Sequence, residues 1–329
     1  MEENRPLLTI AIPTWNRAAI LEKALERILP QVNDFKEMIE LVISDNASTD
    51  PTREIIQKFK TAYPGVRLIS FLQSSNTGMF GNFRKCRELS GGKYFWLLSD
   101  NDYVFPGVIS AVVKGLQQYP EISLFFLKDW VNAQPEGDIF YNITQNGDFN
   151  AFIKKATYYP TLISSGIIRN SKGRDAEIFE KYQGNLFVGF MFLLESVRSG
   201  FPIITMNGAS LYLEKAEPSF DVFKAWIEDM SECIRYAQET GVLKKSSGLF
   251  YKNIVAREIL YRYYMVYKQK GSIFRTTGIG LTDLFNRLYR HYRSCANFWK
   301  FIFPVAVAPV PVLKFYSGLR KPKTARIDS

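Results

Sequence analysis

Histidine and cysteine are scarce in this chain. His291 is the only histidine among 329 residues, which excludes a metal site built from several imidazoles and argues against a histidine-dependent catalytic triad. Three cysteines, Cys86, Cys233 and Cys295, are too few for a disulfide framework, and they favour a reducing compartment. Residues 1–5 lack the basic start and the long apolar stretch of a signal peptide, so we expect a cytoplasmic protein.

Acidic residues are scarce only near the C-terminus. From Arg257 to Ser329 there are 14 Lys and Arg residues and three acidic residues, which gives a net charge of +11. Because the whole chain carries +10, the first 256 residues together carry about −1 (10 minus 11). A basic end on a nearly neutral body indicates an anionic partner, either a membrane surface or a nucleic acid.

The C-terminal segment also combines apolar and basic residues. A predicted amphipathic helix over Leu281–Trp299 precedes the charge-free run Phe301–Leu313, whose 13 residues are fewer than the roughly 20 of a spanning helix. Four basic residues follow this run: Arg320, Lys321, Lys323 and Arg326. We expect residues 281–329 to lie in the membrane interface. The alternative is that the helix packs on the body of the protein. Binding of nucleic acid is disfavoured, because no base-reading module is recognisable.

Short apolar runs alternate with amphipathic segments in the first half of the chain, which predicts a mostly parallel sheet covered by helices on both faces. The predicted strands are Leu7–Ile12, Leu41–Ser44, Leu68–Phe71, Tyr94–Leu98 and Ser123–Leu127. Several of these runs are followed by polar clusters. Since ligands of such sheets bind at the carboxyl ends of the strands, the polar clusters are the candidate site.

Two carboxylates follow the predicted strand Tyr94–Leu98. Asp100 and Asp102 are separated by one residue, so both can approach one divalent cation. Mg²⁺ or Mn²⁺ held by one or two carboxylates keeps positions open for phosphates, and it neutralises charge on a diphosphate leaving group. Taken alone, the pair is a weak signal and is more typical of an exposed acidic turn.

The polar clusters after the first two strands strengthen this interpretation. Asp45 can accept hydrogen bonds from a nucleotide base or ribose, and the segment Pro13–Arg17 leads into a helix, where backbone donors lie near a phosphate or base. Each residue also has a simpler interpretation, because Asp45 can cap a turn with Ser48 and Thr49, and Asn16 can cap a helix. Capping alone explains their joint occurrence poorly.

These motifs together resemble glycosyltransferase family 2, which has the GT-A fold. The similar segments are Leu8–Arg17, Leu41–Asp50, Asn76–Gly78 and Phe95–Asp102. The form Leu-Leu-Ser-Asp-Asn-Asp, followed by Pro106 and Gly107, is similar to the abequosyltransferase-like branch, which builds bacterial O-antigens and capsules. The resemblance covers residues 1–120, about a third of the chain.

The resemblance implies a role for each matching residue. It implies that a group of residues binds the nucleotide-sugar: Pro13, Thr14, Asn16, Arg17, Asp45, Asn76, Gly78, Arg84 and Asp100. Asn82 is expected to face the cleft. Asp102 and Asp100 are expected to hold the metal, Mg²⁺ or Mn²⁺. Ser99 and Asn101 stand where many members carry acids, which leaves open which carboxylate binds the metal directly.

The catalytic base is harder to predict. The family often supplies it from an acidic pair before a helix that ends in a glycine turn, and the matching segment here, Gly184–Phe190, contains no acid. The candidate bases are therefore the upstream residues Asp175, Glu177 and Glu180, although each of them is more typical of a solvated surface charge. Glu195, within the helix, ranks below them.

The sequence as a whole predicts an α/β protein: a GT-A fold, with a Rossmann-like mostly parallel sheet and flanking helices, plus a helical, basic C-terminal region. We expect a catalytic domain over 1–220, a helical extension over 221–280 and the membrane-associating tail over 281–329. The expected function is transfer of a sugar from an NDP-sugar to a lipid-linked saccharide or another bacterial surface polymer, at the inner face of the cell membrane. Alternatives are a nucleotidyltransferase, or an inactive protein of this fold that binds membrane or nucleic acid.

Overall fold

A computed structural model describes residues 5–131, 140–144, 148–213, 220–270 and 279–313. Its nine strands form one sheet in the order β3-β2-β1-β4-β8-β6-β9-β5, and β7 pairs with β9. The strands are β1 (Leu8–Thr14), β2 (Ile39–Asp45), β3 (Arg67–Leu72), β4 (Tyr94–Leu97), β5 (Asp102–Val104), β6 (Leu124–Val131), β7 (Phe140–Thr144), β8 (Gly166–Arg169) and β9 (Ile203–Leu213).

Strands β3, β2, β1 and β4 run parallel and form the half of the sheet predicted from the sequence. Every residue of β1, β2 and β4 is buried, as expected for parallel strands covered on both faces. The helices that connect them are α1 (Ala18–Asn33), α2 (Thr52–Ala62) and α3 (Gly78–Leu89), and α4 (Val108–Gln118) follows β5. The predicted Rossmann-like half of an α/β fold is therefore confirmed.

The remaining strands join this half through an antiparallel strand. β8 lies between β4 and β6 and is antiparallel to both, and β9 is parallel to β6. β9 also pairs antiparallel with β5, where Leu213 lies opposite Asp102. The short strand that begins at Asp102 is thus held in the sheet by the far end of β9.

Glu40 fixes the amino-terminal edge of the parallel half. Its side chain is fully buried, and Oε1 accepts hydrogen bonds from the Thr9 hydroxyl (2.6 Å) and the Gly91 amide (2.5 Å). Arg67 pairs with the other carboxylate oxygen at 3.3 Å. A Cβ atom at Gly92 would lie 2.6 Å from the backbone nitrogen of Thr9, so glycine is needed where this turn passes the first strand.

The chain divides into two compact units. The first comprises Met1–Phe152 and Tyr159–Glu214, and the second comprises Ile153–Tyr158 and Lys215–Ser329. The residues predicted as a separate extension and tail therefore fall in one unit. The later helices are α5 (Phe149–Ala156), α6 (Asp175–Lys181), α7 (Val188–Val197), α8 (Met230–Glu239), α9 (Lys245–Val255), α10 (Tyr261–Lys270), α11 (Leu281–Tyr292) and α12 (Phe303–Val307).

The apolar face predicted for the segment 281–299 divides in two in the structure. Leu284, Leu288 and Tyr292 are fully buried, and the Tyr292 hydroxyl donates to the carbonyl of Trp226 within the same unit. Leu281, in contrast, is exposed. Part of the predicted lipid-facing surface is therefore core, because a helix that packs on its own domain buries the centre of its apolar stripe. The basic residues predicted beyond Leu313 lie outside the described residues.

No helix in the described part of the chain is both long and apolar enough to cross a membrane. Cys86, Cys233 and Cys295 are all buried, and no disulfide bond joins them.

Candidate active site

The carboxyl ends of β1, β2 and β4 meet at one edge of the sheet. Thr14, the last residue of β1, lies opposite Asp45, the last residue of β2. The Thr14 hydroxyl donates to Asp100 Oδ2 across 2.9 Å, which joins β1 to the loop after β4. The structure therefore brings together three residues that the sequence placed after separate strands.

Asp100 is buried and held by two partners. Besides the bond from Thr14, its Oδ1 accepts a hydrogen bond from the Arg17 guanidinium at 2.8 Å. Burial raises the pKa of Asp100, while the charge of Arg17 and the hydrogen bond from Thr14 act in the opposite direction. Both carboxylate oxygens are thus engaged by the protein itself, and Arg17 is fixed over the site by a part-buried ion pair.

Asp102 is held differently. Its Oδ2 accepts a 2.6 Å hydrogen bond from the hydroxyl of Ser164, and within the described residues its Oδ1 has no hydrogen-bond partner. Burial raises the pKa of Asp102 to about 6, the Ser164 hydroxyl lowers it, and the negative charge of Asp100 raises it. Asp102 is therefore a carboxylate with one oxygen fixed and one oxygen available to a ligand.

Ser164 was missed by the sequence interpretation. It lies in a short 3₁₀ helix, Ile163–Ser165, and its hydroxyl also accepts a hydrogen bond from the Ser99 amide at 2.9 Å. The Trp96 indole nitrogen donates to the carbonyl of Ser164 at 2.9 Å, which anchors the 3₁₀ helix to β4. The sequence carried no signal for this residue, because only the fold places it beside the acidic loop.

The loops after β1 and β2 are bonded to each other. The backbone amide of Asn16 donates to the Ser48 hydroxyl at 2.8 Å, and the side-chain oxygen Oδ1 of Asn16 accepts from the backbone amide of Thr49 at 2.7 Å. Asn16 has a positive φ of 50°, a conformation that asparagine tolerates better than most residues. Asn16 therefore ties the two loops together, and it does not cap a helix.

Asp50 caps two helices at once. Its Oδ2 accepts from the Ala18 amide at the start of α1, and its Oδ1 accepts from Thr52 at the start of α2. Although burial raises the pKa of Asp50, the hydrogen bonds from Thr52 and Ala18 lower it overall.

Asp45 closes the turn after β2, and its side chain is buried. Its Oδ1 accepts a hydrogen bond from the Ser48 amide at 3.0 Å, which is the capping role that the sequence left open. Oδ2 has no hydrogen-bond partner in the described part of the chain. Asp45 can thus shape the turn with one oxygen and bind a ligand with the other.

Asn46, which the sequence interpretation passed over, connects this turn to α3. Its Nδ2 donates to Asn76 Oδ1 at 2.9 Å and to the Gly78 carbonyl at 3.1 Å. Its Oδ1 accepts from the Thr77 amide at 2.9 Å. Asn76 and Gly78 are therefore brought to the β2 loop. Gly78 has a φ of +72°, which a residue with a side chain adopts only with strain.

The structure does not bring Arg84 into this cluster. Arg84 is exposed, its Nε donates to Glu88 on the same helix at 2.7 Å, and its guanidinium lies 5.4 Å from the ring centre of Phe179. Asn82, in contrast, is buried and donates to the Thr14 carbonyl at 3.2 Å. Asn82 thus contacts the end of β1, whereas the described contacts of Arg84 are with Glu88 and Phe179.

The three acids predicted as bases have no described contact with the Asp100 loop. Asp175 is paired with the buried Arg87 at 2.9 Å, and Arg87 also donates to Asn170, which follows β8. Because β8 is antiparallel to β4, Asn170 lies at the amino end of β4, whereas Asp100 follows its carboxyl end. Glu177 is exposed and paired with Arg174.

Glu180, the third of these acids, is exposed on α6. The amino end of β4, where Asn170 lies, is separated from its carboxyl end by the length of a four-residue strand, roughly 13 Å. The structure thus gives Asp175 a partner in an ion pair near the amino end of β4, and the roles of Glu177 and Glu180 as bases stay predictions.

The donor set fits a hard divalent cation that is completed by substrate. The described residues contain no group of three or more His, Cys, Asp or Glu side chains that could hold a metal ion by themselves. One available carboxylate oxygen on Asp102, beside the buried Asp100, matches the way Mg²⁺ is bound by one or two carboxylates together with phosphate oxygens and water. A closed structural metal site does not match these residues.

A parallel half-sheet, an acidic pair after its fourth strand and polar loops after its first two strands define a GT-A glycosyltransferase domain. Residues 9–169 match the family model described as glycosyl transferase family 2, and the domain formed by these residues belongs to that family. The resemblance predicted from the sequence is confirmed.

Curated relatives match the chain over its first part. A GalNAc(5)-diNAcBac-PP-undecaprenol beta-1,3-glucosyltransferase of Campylobacter jejuni is 32% identical over 110 residues, which cover 33% of this chain and 34% of the relative. Abequosyltransferase RfbV of Salmonella typhimurium is 38% identical over 96 residues, which cover 29% of this chain and 28% of the relative. The chain thus spans about a third of the length of the curated relatives it matches.

Solved structures share the fold over most of the chain. The structure of S. aureus TarS 1-349 in complex with UDP-GlcNAc has a TM-score of 0.60 at 16% identity and covers 87% of this chain and 82% of that chain. The mannosyltransferase PcManGT from Pyrobaculum calidifontis, in complex with GDP-Man and Mn²⁺, has a TM-score of 0.50 at 15% identity and covers 98% of this chain and 82% of that chain. At these identities the likeness concerns the fold alone.

Proposed function

We propose that this chain transfers a sugar from an NDP-sugar to the hydroxyl group of a saccharide acceptor. The observation that carries the proposal is the contact of Thr14 and Arg17 with Asp100, beside Asp102, at the carboxyl ends of a family 2 half-sheet. Paired carboxylates next to an arginine and polar loops suit a diphosphate and its cation. An exposed acidic turn would not need a buried Asp100.

The nucleotide binds over the joined loops after β1 and β2. Asp45 Oδ2 accepts from the base or the ribose, and the polar ends of β1 and α3 line the same edge. Trp15 lies between Thr14 and Asn16 with 45% of its surface exposed, so its ring is available to stack on the base. Because these loops are tied by hydrogen bonds within the protein, the pocket is shaped before the donor arrives.

Asp102 is the residue that binds the metal directly in this proposal. Both oxygens of Asp100 are occupied by Thr14 and Arg17, whereas Asp102 keeps Oδ1 available. Mg²⁺ or Mn²⁺, when bound, supplies positive charge to the leaving diphosphate. The Mn²⁺ bound in the Pyrobaculum calidifontis mannosyltransferase, a protein of similar fold, supports a divalent cation in this proposal. Asp100 positions Arg17, whose guanidinium meets the phosphates.

The chemistry is substitution at the anomeric carbon. The acceptor oxygen forms a bond to that carbon, the bond to the nucleoside diphosphate breaks, and the hydroxyl proton passes to a base. Asp175 is held in an ion pair with Arg87, and no described contact joins Glu177 or Glu180 to the Asp100 loop, so the base is not assigned here. Arg17 stabilises the charge that develops on the leaving diphosphate.

The acceptor proposed here is a lipid-linked saccharide or another bacterial surface polymer, such as an O-antigen or a capsule. The name of the Campylobacter relative contains an undecaprenol-linked saccharide, and the name of the Salmonella relative is abequosyltransferase. An acceptor with a polyprenol anchor is confined to a bilayer, so the reaction belongs at the inner face of the cell membrane, with the chain bound peripherally.

Release of nucleoside diphosphate tests the proposal. Purified protein is given a panel of UDP-, GDP- and dTDP-sugars with Mn²⁺, Mg²⁺ or EDTA, with and without a lipid-linked acceptor. The Asp102→Asn variant is measured under the same conditions. We expect release that depends on the metal and is lost in the variant. Full release in EDTA, or full release by Asp102→Asn, contradicts the metal assignment.

One observation also fits a second candidate function, that of an inactive protein of this fold. No described contact joins any of the acids predicted as bases to the Asp100 loop, which is also what an inactive protein of this fold would show. Binding of an NDP-sugar without any release, across the whole panel and with acceptor present, would favour that candidate. Pyrophosphate release from a nucleoside triphosphate and a sugar phosphate would instead favour a nucleotidyltransferase.

A further inference from the structure

Three exposed aromatic rings form a continuous surface in the second unit. Tyr289 of α11, Trp299 and Phe303 are 38%, 45% and 36% exposed. The ring centres of Tyr289 and Trp299 are 6.1 Å apart, and those of Trp299 and Phe303 are 5.2 Å apart. Val307, on the next turn, is 64% exposed. We call these four residues the aromatic face.

The aromatic face is rigidly supported from inside the unit. Phe298 is fully buried, and its ring lies 6.1 Å from Tyr289 and 5.2 Å from Trp299. The Trp299 indole nitrogen donates to the Arg293 carbonyl at 2.8 Å, which holds the ring in place. The exposed parts of these rings are therefore presented in a fixed arrangement and are available to a partner.

Positive charge is concentrated in the segment of the chain that carries the aromatic face. The segment from Leu284 to Leu313 contains four basic residues and no acidic residue. Arg287 pairs with Glu228 at 2.7 Å and is neutralised within the unit. Arg290, Arg293 and Lys300 are exposed, and within the described residues they have no carboxylate partner. A partner of this surface thus has to present negative charge around an apolar centre.

We propose that the aromatic face binds an anionic lipid bilayer, with its rings among the acyl chains and Arg290, Arg293 and Lys300 at the headgroups. Tryptophan and tyrosine favour the membrane interface because one end of the ring is apolar and the other is polar. Val307 is aliphatic, so it gains nothing from stacking on a base, whereas acyl chains accept it. A bilayer therefore fits this surface better than a nucleic acid does.

The surface differs from the one that the sequence predicted. The sequence assigned the whole apolar side of 281–299 to lipid, but its central residues, such as Leu284 and Tyr292, belong to the core of the unit. Removal of the segment would therefore unfold the unit, and point variants are needed to test the surface. The inference deepens the proposed function, on which it rests only for the location of the acceptor.

The test is co-sedimentation of the full chain with vesicles, without donor or acceptor. Vesicles of phosphatidylcholine with 30% phosphatidylglycerol are compared with pure phosphatidylcholine, for wild type and Trp299→Gln/Phe303→Gln. The matched control is Leu249→Gln/Phe250→Gln on α9, since these two side chains are 40% and 39% exposed in the same unit. We expect the first double variant to bind the anionic vesicles at least tenfold more weakly and the control to bind like wild type.

Charge is tested in the same way. Arg290→Gln/Arg293→Gln is compared with Lys23→Gln/Lys60→Gln on α1 and α2, a pair of exposed residues of the first unit with the same change in net charge. Since each basic residue near an anionic surface contributes about 1 kcal/mol, or about fivefold, the first pair should weaken binding by roughly 25-fold at low salt. The difference should shrink at high salt, because exposed charges are screened.

Two outcomes overturn the inference. One is equal binding of wild type and Trp299→Gln/Phe303→Gln, which would assign any membrane affinity to other residues. The other is tighter binding of a single-stranded RNA oligonucleotide than of anionic vesicles, lost in the same variant. Release of nucleoside diphosphate with a soluble acceptor is measured in parallel. If release persists while vesicle binding is absent, this inference fails and the proposed function stands.

Discussion

Ser164 and Asp102 are 62 residues apart in the sequence, and a 2.6 Å hydrogen bond joins their side chains. The same hydroxyl accepts from the Ser99 amide, so one serine fixes both the backbone of the acidic loop and the carboxylate that we assign to the metal. Asp102 Oδ1 is left without a hydrogen-bond partner among the described residues and is available to a cation.

Replacement of Ser164 by alanine should weaken metal binding without unfolding the domain. A hydrogen bond to a charged group contributes about 1.5–3 kcal/mol, so we expect the Mn²⁺ affinity, measured by electron paramagnetic resonance with nucleoside diphosphate present, to fall about tenfold. Ser164→Thr retains the hydroxyl and should restore most of the affinity. An alanine variant with wild-type affinity would contradict the role of Ser164.

Metal binding should depend on pH through Asp102, whose pKa is raised to about 6. Protons compete with the cation for this carboxylate, so the affinity for Mn²⁺ should rise as pH increases through about 6 and then level off. In Asp102→Asn the affinity should be low at every pH. A wild-type affinity that is constant between pH 5 and pH 7.5 would exclude Asp102 as the ligand.

The same shift predicts a change in stability. Between its ordinary pKa of 3.8 and about 6, Asp102 binds a proton in the folded state that the unfolded state releases. The free energy of unfolding of the metal-free protein therefore receives a contribution from Asp102 that decreases as pH rises through this window. Asp102→Asn lacks this contribution and keeps an oxygen for Ser164, so its melting temperature at pH 7.5 should exceed that of wild type when metal is absent.

Nucleotide binding should depend on the oxygen of Asp45 that the turn does not use. Asp45→Asn retains Oδ1 as the acceptor for the Ser48 amide and replaces Oδ2 by a donor. We expect the free energy of nucleoside diphosphate binding to weaken by about 1–3 kcal/mol, measured by titration calorimetry, with an unchanged melting temperature. Unchanged binding would leave Asp45 with its turn-closing role alone.

Asp175 should matter for stability, although the sequence made it a candidate base. Its partner Arg87 is 2% exposed, and it also donates to Asn170 and to the carbonyl of Ser171. Removal of one member of a buried ion pair costs about 3–5 kcal/mol, so Asp175→Asn should lower the free energy of unfolding by an amount of that order. Turnover measured well below the melting temperature should persist. Glu177→Gln, in an exposed pair, is the control and should cost less than about 1 kcal/mol.

Two glycines offer a matched test of packing. A Cβ at Gly189, at the start of α7, would meet only Ile163 and Leu97 at 3.5 and 3.6 Å, which is ordinary contact. Gly189→Ala should therefore stabilise the fold by roughly 0.5–1 kcal/mol. A Cβ at Gly115 would lie 2.5 Å from the buried Phe125 ring, so Gly115→Ala should destabilise by roughly 1–3 kcal/mol. Chemical denaturation compares the two, and the same sign for both would contradict the packing described here.

The sequence predicted the parallel half of the sheet well, because its strands are continuous apolar runs and its helices are clearly amphipathic. The predicted run Leu41–Ser44, for example, lies within β2. The residues placed after the strands, Thr14, Asp45 and Asp100, are brought to one edge because the carboxyl ends of parallel strands meet there. The spacing of apolar residues within each segment is therefore enough to predict these strands and the residues at their carboxyl ends.

Contacts between distant segments could not be predicted in this way. Ser164 reaches the acidic loop only because β8 is inserted antiparallel beside β4, and the sequence pattern does not reveal that direction. The ion pair between Arg87 and Asp175 depends on the same strand. The division of the α11 face likewise depends on which side of the helix meets its own unit, and periodicity shows the stripe without showing its partner.

The loops after β1 and β2 form one hydrogen-bonded unit. Asn16 is bonded to Ser48 and Thr49, and Asp50 caps the helices that follow both loops. A graft of either loop from a relative with a different donor would break bonds at the other loop, even if every residue that touches the nucleotide were kept. Donor preference in this chain is therefore expected to be exchangeable only when residues 13–18 and 45–52 are transplanted together.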